Sequence, residues 1–335
     1  KKHANEVGFF VQDEWNVTPK LTVVPGIRLD SHSSGEEYAT SVKVSDSAFP
    51  STKFSKTTIN PRLAVKYEVT PSLILRANIG TGFRAPYGFS EDLHLCSGSP
   101  RVWKSSNLKG ERAISYNLSA DYYSKRYQFS INLFRTNLKD KIQFSPADDE
   151  VKKFGYSYQW ENVDDAYVQG IELGAKASIA RNLTAGVNWT FNQGKFKHER
   201  AEWSDPNDES VKEFPQRLKY AKESRYISRF PGMTGDFDID YTPGTWTFSL
   251  TSSLQGSMYI DYNSEDAGQN SKIKKTSTFM LFNCRASKRF GMCTIYAGAK
   301  NIFSYIQDEK HTDDAAFMYA PVYGATWYVG LSVKL

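Results

Sequence analysis

The fold is decided by residues 170–191, which read GIELGAKASIARNLTAGVNWTF. Apolar and polar residues alternate from Gly170 to Ile179 and again from Leu183 to Phe191. The break between the two runs is only Ala180-Arg181-Asn182. Because successive side chains of a strand point to opposite faces, the pattern predicts two antiparallel strands joined by a tight turn.

The same alternation recurs from end to end and predicts an all-β chain. A soluble β-sandwich would also alternate, but its strands usually have only about five or six residues. Segments of ten or more residues match the roughly 9–11 that cross a bilayer on a tilt. The thirteen predicted strands are 6–16, 20–32, 57–69, 72–82, 111–124, 126–138, 166–180, 182–195, 229–242, 245–260, 276–289, 292–305 and 323–335.

The connections are alternately short and long, which is the pattern of an outer-membrane barrel with tight periplasmic turns and extended extracellular loops. The first and thirteenth predicted strands both run into the short-turn end. Single-chain bacterial barrels have an even number of strands, so we expect earlier strands outside this chain. The six predicted long loops are 33–56, 83–110, 139–166, 196–228, 261–275 and 306–322.

Composition excludes several classes of protein. The 335 residues are 40% apolar and 24% charged, and no uninterrupted apolar run is long enough for a membrane helix. The net charge of +5 is spread over interleaved acidic and basic residues, so no nucleic-acid surface is expected. Five histidines without a Gly-x-Ser-x-Gly elbow argue against an enzyme. Cys96 has no obvious mate, and Cys284 and Cys293 are either cross-strand neighbours or free thiols.

Three motifs lie in order at predicted strand ends. They are IGTGFRAP at residues 79–86, SSNLKGE at 105–111 and GAKNIF at 298–303, and EDLH follows the first at 91–94. In that order the three resemble the GFRAP, NPxLKPE and xxNLFD segments of TonB-dependent receptors, and the Glu-Asp-Leu-His resembles versions found in Bacteroidota. The second motif departs from the family pattern, with Ser105-Ser106 in place of Asn-Pro and Gly110 in place of the second Pro. Matching residues are Phe83, Arg84, Ala85 and Pro86 in the first motif, Leu108, Lys109 and Glu111 in the second, and Gly298-Ala299-Lys300-Asn301-Ile302-Phe303 in the third.

The chain end adds to the resemblance. Apolar residues alternate from Trp327 to Leu335 and are predicted to form a lipid-facing stripe. This stripe resembles the C-terminal segment by which outer-membrane barrels are recognised for insertion, with Leu335 where such families usually have Phe.

The resemblance implies that residues 1–335 are the last thirteen strands of a 22-stranded transmembrane antiparallel β-barrel in the bacterial outer membrane. A plug domain and a TonB-binding segment are expected outside these residues. The implied function is import of a scarce nutrient, such as haem, a ferric siderophore or cobalamin, with no intrinsic cofactor. Implied partners are membrane lipid, the plug and missing strands, and TonB. A passive porin, or a glycan importer with a surface lipoprotein partner, remains an alternative.

Candidate ligand residues lie in the predicted long loops. His94 lies between the first two motifs, as does a histidine in haem receptors that the chain resembles, and His311 could be a second iron ligand. Exposed rings could stack on a planar ligand, although they could equally anchor the interface. The acidic clusters Asp148-Asp149-Glu150 and Asp164-Asp165 could bind Ca²⁺ or be solvated charge. Candidate rings are Trp103, Tyr156, Trp160 and Tyr319.

A row of acids, Asp236, Asp238 and Asp240, occupies the polar side of one predicted strand. Three adjacent carboxylates would repel one another, so we expect them to pair with basic residues of the plug or of neighbouring strands, such as Arg229 or Lys176.

Overall fold

The computed structural model describes residues 2–37, 48, 50–86, 102–156, 158–198, 225–227, 229–259, 275–307 and 319–334. Within them the chain forms a sheet of fifteen strands and one short helix. The elements are β1 (Lys2–Gln12), β2 (Trp15–Thr18), β3 (Leu21–Glu36), β4 (Thr52–Thr70), β5 (Leu73–Arg84), β6 (Val102–Lys104), β7 (Glu111–Tyr123), β8 (Tyr127–Pro146), α1 (Asp149–Lys152), β9 (Tyr158–Ala180), β10 (Leu183–Phe196), β11 (Met233–Tyr241), β12 (Trp246–Gln255), β13 (Phe279–Phe290), β14 (Cys293–Lys300) and β15 (Thr326–Val333).

Thirteen of the strands follow one antiparallel path in chain order, from β1 to β15. This confirms the predicted number and order of long strands. The two additional strands are short. β2 continues β1 after the interruption at Asp13-Glu14 and pairs with β3, whereas β6 pairs in parallel with the outer part of β9. β1 and β15 are the edges of the path, so the sheet is an open barrel wall.

One face of this wall, which we call the apolar face, carries the predicted apolar stripes. Trp327, Val329, Leu331 and Val333 of the last strand are all exposed there, Val329 by 78%. Leu335 lies outside the described residues. Soluble monomers rarely expose contiguous apolar patches above a few hundred Å². A surface of this kind on every long strand therefore requires apolar surroundings.

The opposite face, the polar face, is lined by hydrogen-bonded polar side chains. Asp30 accepts hydrogen bonds from Arg28 (2.6 Å) and Asn60 (2.9 Å). Two acids of the Asp236, Asp238 and Asp240 row accept hydrogen bonds from neutral side chains of neighbouring strands. Asn188 Nδ2 donates to Asp236 at 3.0 Å, and Ser249 Oγ donates to Asp240. Among the described residues Lys176 makes no ion pair with the row, and pairing of the row with Arg229 or with the plug stays a prediction.

The short turns gather at one end of the sheet and are built on side-chain hydroxyls. Thr18 Oγ1 accepts the backbone N–H groups of Lys20 (3.2 Å) and Leu21 (3.0 Å). Thr70 Oγ1 does the same for Ser72 and Leu73. The hydroxyl satisfies donors that the ladder leaves unpaired at the turn. We refer to the two ends of the sheet as the short-turn end and the long-loop end.

The predicted loop 139–166 is wrong, because most of it is strand. β8 continues to residue 146 and β9 begins at residue 158, with α1 at the tip. The pairing is irregular around Asp140, whose φ is 54°, and then resumes. Charged residues at 139–141 interrupt the apolar alternation at the irregularity, although the backbone ladder then continues. Asp148 of the predicted acidic cluster accepts the Val151 N–H at 2.9 Å and caps α1.

In the described parts of the chain, no helix has the length and apolar character needed to cross a membrane. Cys284 and Cys293 are both free thiols. They are not cross-strand neighbours, because Cys284 pairs with Ala299 and Cys293 with Phe290 in the β13–β14 ladder. Cys96 lies outside the described residues.

Candidate functional site

The first two motifs meet at the long-loop end through one ion pair. β5 and β7 place Arg84 directly opposite Glu111. Arg84 Nη2 donates to Glu111 Oε2 at 3.2 Å and to the Ile142 carbonyl at 3.1 Å. Glu111 Oε2 also accepts the Ile142 backbone N–H at 3.0 Å. The two motifs therefore clamp the point where β8 leaves the regular part of the wall, and their role here is to hold three strands in register.

Asn162 secures the second motif from the other side. Its Oδ1 accepts the Lys109 N–H at 2.8 Å, while its Nδ2 donates to the carbonyls of Lys109 (3.0 Å) and Asp140 (2.8 Å). One amide thus satisfies backbone groups of the motif and of the irregular turn in β8. Sequence reasoning did not identify Asn162, since a single polar residue between charged neighbours carries no periodic pattern.

Gly110, one of the positions where the second motif departs from the family pattern, lies against the ring of Phe83. A Cβ added at Gly110 would lie 2.1 Å from Cε2 of Phe83 in the first motif. No side chain fits there unless the ring moves. The remaining motif residues pack the same region, with Leu108 and Pro86 buried and Ala85 half-buried.

The third motif forms the turn that leaves β14. Asn301 adopts a left-handed conformation with φ of 50°, which Asn tolerates better than most residues. Its Nδ2 donates to the Tyr305 carbonyl at 2.8 Å, and its Oδ1 accepts the Tyr305 N–H at 2.9 Å. The Asn301 N–H donates to Asn283 Oδ1 on β13 at 3.0 Å. The Asn of this motif is therefore a structural residue.

Three candidate ligand-binding rings belong to β6 and to the start of β9. Trp103 pairs in register with Gln159, and Trp160 with Lys104, so the side chains of Trp103 and Trp160 point to opposite faces of this strand pair. Tyr156 lies just before β9 and donates its hydroxyl to the Ala48 carbonyl at 2.7 Å. All three are half-buried, which leaves part of each ring open at the long-loop end.

A buried ion pair holds β6 in place. Lys104 Nζ lies 3.0 Å from Glu36 Oε1 at the end of β3, and their side chains are 7% and 1% exposed. Removing one partner of such a pair is costly, because the other is left charged and buried. Sequence reasoning missed β6 and this pair, since three residues are too few for an alternating pattern to register.

The family of the chain follows from comparison with known proteins. The family model described as "TonB dependent receptor-like, beta-barrel" matches residues 1–302. The chain belongs to this family. Its thirteen-strand path is accordingly part of a TonB-dependent receptor barrel.

Individual relatives agree with the family. The chain is 27% identical over 229 residues to "Vitamin B12 transporter BtuB" of Photobacterium profundum, covering 68% of this chain and 30% of that protein. It is 26% identical over 202 residues to "Ferric enterobactin receptor" of Pseudomonas aeruginosa, covering 55% and 24%. These matches span less than a third of the length of either relative.

Solved structures show the same fold. "Copper transporter OprC" superposes with a TM-score of 0.73 at 17% identity, covering 99% of this chain and 48% of that one. The unliganded "ferric citrate transporter FecA" gives 0.70 at 18% identity, covering 99% and 45%. At this identity the likeness concerns the fold alone. The chain spans about half the length of these barrels.

The other candidate residues of this TonB-dependent receptor lie elsewhere in the chain. Tyr319 lies beside Met258 and Phe279, and its N–H donates to Gln307 Oε1 at 2.8 Å. His94 and His311 lie outside the described residues, so iron ligation by either stays a prediction. No cluster of three or more His, Cys, Asp or Glu residues that could hold a metal occurs in the described ranges.

His198 contributes an ion-pair contact at the long-loop end. Its Nδ1 lies 3.0 Å from Asp164 Oδ1, and its backbone N–H donates to Asp164 Oδ2 at 2.8 Å. Burial raises the pKa of Asp164, but hydrogen bonds from His198 and from the Asp165 backbone together hold that pKa below its ordinary value. Asp165 Oδ1 accepts the Asp140 N–H at 3.1 Å. Both carboxylates of this predicted Ca²⁺ cluster thus have protein partners.

Proposed function

We propose that this chain is part of an outer-membrane receptor that imports a scarce nutrient in a step energised by TonB. The observation that carries the proposal is the two-faced wall of thirteen long antiparallel strands, with tight turns at one end only. Its apolar face requires lipid, and its polar face suits an aqueous interior. Family membership supports active import, because receptors of this family are named for their dependence on TonB.

The proposed cargo is a metal chelate, either haem or a ferric siderophore, or else cobalamin. Similar proteins support this class of cargo, since they include a vitamin B12 transporter and ferric enterobactin receptors. The half-buried rings of Trp103, Tyr156 and Trp160 support it chemically, because rings held at the extracellular end offer stacking surfaces to a planar or aromatic ligand.

Iron ligation by His94, with His311 as a second ligand, is part of the haem version of the proposal. Neutral imidazole is a good axial ligand for haem iron. Tyr319 belongs to a separate cluster and is proposed to contact ligand from another side of the opening. TonB is proposed to act through a plug and a TonB-binding segment of the full-length protein.

Growth with a single limiting nutrient tests the import proposal. A deletion strain complemented with the full-length protein would be supplied in turn with haem, cyanocobalamin, ferric siderophores or oligosaccharides. We expect rescue by one metal chelate or by cobalamin, and loss of rescue when TonB is disrupted. TonB-independent rescue would instead identify a passive porin. Rescue by oligosaccharide alone would identify a glycan importer and lead to a search for its surface lipoprotein.

Binding by the purified protein tests the ligand residues. Trp103→Ala and Trp160→Ala should weaken binding of the identified nutrient by about tenfold each, from the loss of one stacking contact. Trp246→Ala is the matched control, because Trp246 stacks on Phe248 on the apolar face. Equal affinity in all three variants would show that the rings of Trp103 and Trp160 do not contact the nutrient. Unchanged haem affinity in His94→Ala would end the ligation hypothesis.

A further inference from the structure

Two hairpins that lie far apart in the wall meet at the long-loop end. One contains the end of β3 at Glu36, and the other is the extension of β8 and β9 beyond residue 138. Four strands, β4, β5, β7 and β8, separate β3 from β9 in the sheet. At about 4.8 Å between neighbouring strands, the five steps measure roughly 24 Å along the wall. The two hairpins can therefore touch only through a segment that crosses from one to the other.

β6 makes this crossing. It pairs in parallel with residues 158–160 of β9 and so belongs to the second hairpin. Its last residue, Lys104, places Nζ 3.0 Å from Oε1 of Glu36, and Nζ of Lys2 lies 3.8 Å from the same oxygen. Glu36 is anchored in turn, because its backbone N–H donates to Thr52 Oγ1 of β4 at 3.2 Å. We call β6 together with the Lys104–Glu36 pair the tie.

The tie lies on the interior side of the wall. Asp30 belongs to the polar face, and Glu36 follows it by six residues in a strand that pairs with β4 without a register shift. Side chains separated by an even number of strand residues share a face, so Glu36 also points to the polar side. Lys104 must approach Glu36 from that side. The tie therefore spans part of the opening of the barrel.

A second contact joins the same two hairpins. Tyr156, just before β9, donates its hydroxyl to the Ala48 carbonyl at 2.7 Å. Ala48 lies between β3 and β4 and is 5% exposed. Because the two contacts are at different points, neither can act as a free hinge for the other.

The base of the extension is equally well held. Arg84 and Glu111 bind the backbone of Ile142, and Asn162 binds the Asp140 carbonyl. Ile142 and Val151, near the base and at the tip, are both buried. Segments that open at low cost have few buried apolar contacts and exposed hydrogen bonds. The extension has neither property.

Opening the tie would be costly for electrostatic reasons. The side chains of Lys104 and Glu36 are buried, and separating two buried charges leaves each without compensation. The β6–β9 ladder would lose its hydrogen bonds in the same movement if β6 stayed with Glu36. Both effects favour a tie that stays closed.

We propose that the tie is a permanent brace, which holds the two hairpins over one side of the outer opening and stays closed while the nutrient enters beside it. The inference rests on the proposed function in taking the long-loop end as the entrance. Because β6 contains Trp103, this candidate ring keeps one position throughout import.

Hydrogen exchange in the full-length protein tests whether the buried pair holds the tie. Glu36→Gln should speed exchange of the amides of Val102–Lys104 by at least about tenfold, because Lys104 and Lys2 then repel each other without a carboxylate between them. Lys104→Met should have a smaller effect, since Lys2 remains beside Glu36. The double variant Glu36→Leu, Lys104→Leu should restore slow exchange, because apolar residues can replace a buried ion pair.

Lys66→Met is the matched control for these variants. It breaks the exposed Lys66–Glu68 pair of β4 and should leave exchange in β6 unchanged. Wild-type exchange in Glu36→Gln would overturn the proposal, because the pair would then not hold β6.

Cross-linking tests whether the tie stays closed during import. A short bis-maleimide would join Glu36→Cys to Lys104→Cys in a full-length protein without its native cysteines, and each single variant treated with the same reagent is the control. The cross-linked protein should import the nutrient within about twofold of the wild-type rate, since no opening step is blocked. A loss of about tenfold or more that appears only in the cross-linked protein would show that the tie must open, and would overturn the proposal.

The two experiments separate this inference from the proposed function. Failure of the wild type to import any nutrient would overturn the import proposal, whereas the exchange measurements would still decide whether the pair holds the tie. Normal import by the wild type together with fast exchange of β6 would overturn the tie and leave import untouched.

Discussion

Arg84 and Glu111 lie 3.2 Å apart and join two motifs that are separated in the chain by 27 positions. The Glu111 side chain is only 14% exposed and accepts a second hydrogen bond from the Ile142 N–H. Because one carboxylate serves both a guanidinium and a backbone amide, the register of β5, β7 and β8 depends on it.

Glu111→Gln should destabilise the barrel wall by about 1–3 kcal/mol, because the amide cannot replace both charge-assisted hydrogen bonds. Urea unfolding in detergent, followed by tryptophan fluorescence, measures the change. Glu68→Gln is the control. Glu68 forms an exposed pair with Lys66 at 2.7 Å, and exposed pairs contribute little to stability because water screens the two charges. An equal loss of unfolding free energy in the two variants would show that the Arg84–Glu111 pair has no special role.

Gly110→Ala should cost about 1–3 kcal/mol, since its Cβ would clash with the Phe83 ring. Phe83→Leu in the same chain should recover part of the loss by making room. The control is Gly82→Ala, whose Cβ would meet the Ala113 Cβ at an ordinary 3.9 Å. If Gly110→Ala unfolds at the wild-type urea concentration, the steric account is wrong.

Asn301 combines a left-handed φ with side-chain hydrogen bonds, and two substitutions separate these effects. Asn301→Gly keeps the conformation and loses the bonds to Tyr305, whereas Asn301→Ala loses both. We expect stability to fall in the order wild type, Gly, Ala, with the alanine variant lower by roughly 2 kcal/mol. Thermal unfolding checks the order. A glycine variant less stable than the alanine variant would contradict it.

The Asp164–His198 contact predicts a pH dependence for the extension of β8 and β9. Since the folded-state pKa of Asp164 is lowered, its stabilising effect is present above the unfolded value of about 3.9 and is lost as the pH falls through the folded pKa. His198→Ala should therefore speed proteolysis of the extension at neutral pH, and the difference from wild type should vanish in acid.

Lys153→Met tests whether the loss of any ion pair in the extension speeds its proteolysis. A hydrogen bond from Lys153 to Glu150 raises the pKa of Lys153, but both side chains are largely exposed. Proteolysis of this variant should match the wild type at every pH. A His198→Ala difference that persists in acid would rule out Asp164 as its cause.

The wall itself was predictable because lipid and water impose different side chains on alternate residues. Residues such as Ile171, Leu173 and Val187 were assigned to the apolar face from sequence, and the structure exposes them there. The tight turn at Ala180-Arg181-Asn182 was predictable for a related reason, since the alternation is interrupted there by only three residues.

Prediction failed where no solvent boundary imposes alternation. The β8–β9 extension was expected to be loop, because charged residues interrupt the apolar alternation there while the backbone pairing continues. Asn162 and the Glu36–Lys104 pair were missed because each depends on a contact between residues far apart in the chain. The roles of His94 and His311 stay predictions for the same reason, since chain position does not place a loop histidine against a ligand.

The extension also has a practical consequence. Eight residues of β8 beyond residue 138 carry the hairpin outward by roughly 25 Å, at about 3.3 Å per residue. At its tip, Gly155 has φ of 81° and nothing within 4 Å of an added Cβ. With the wall in the outer membrane as proposed, an epitope or fluorophore inserted beside Gly155 would be displayed on living cells without entering the pore.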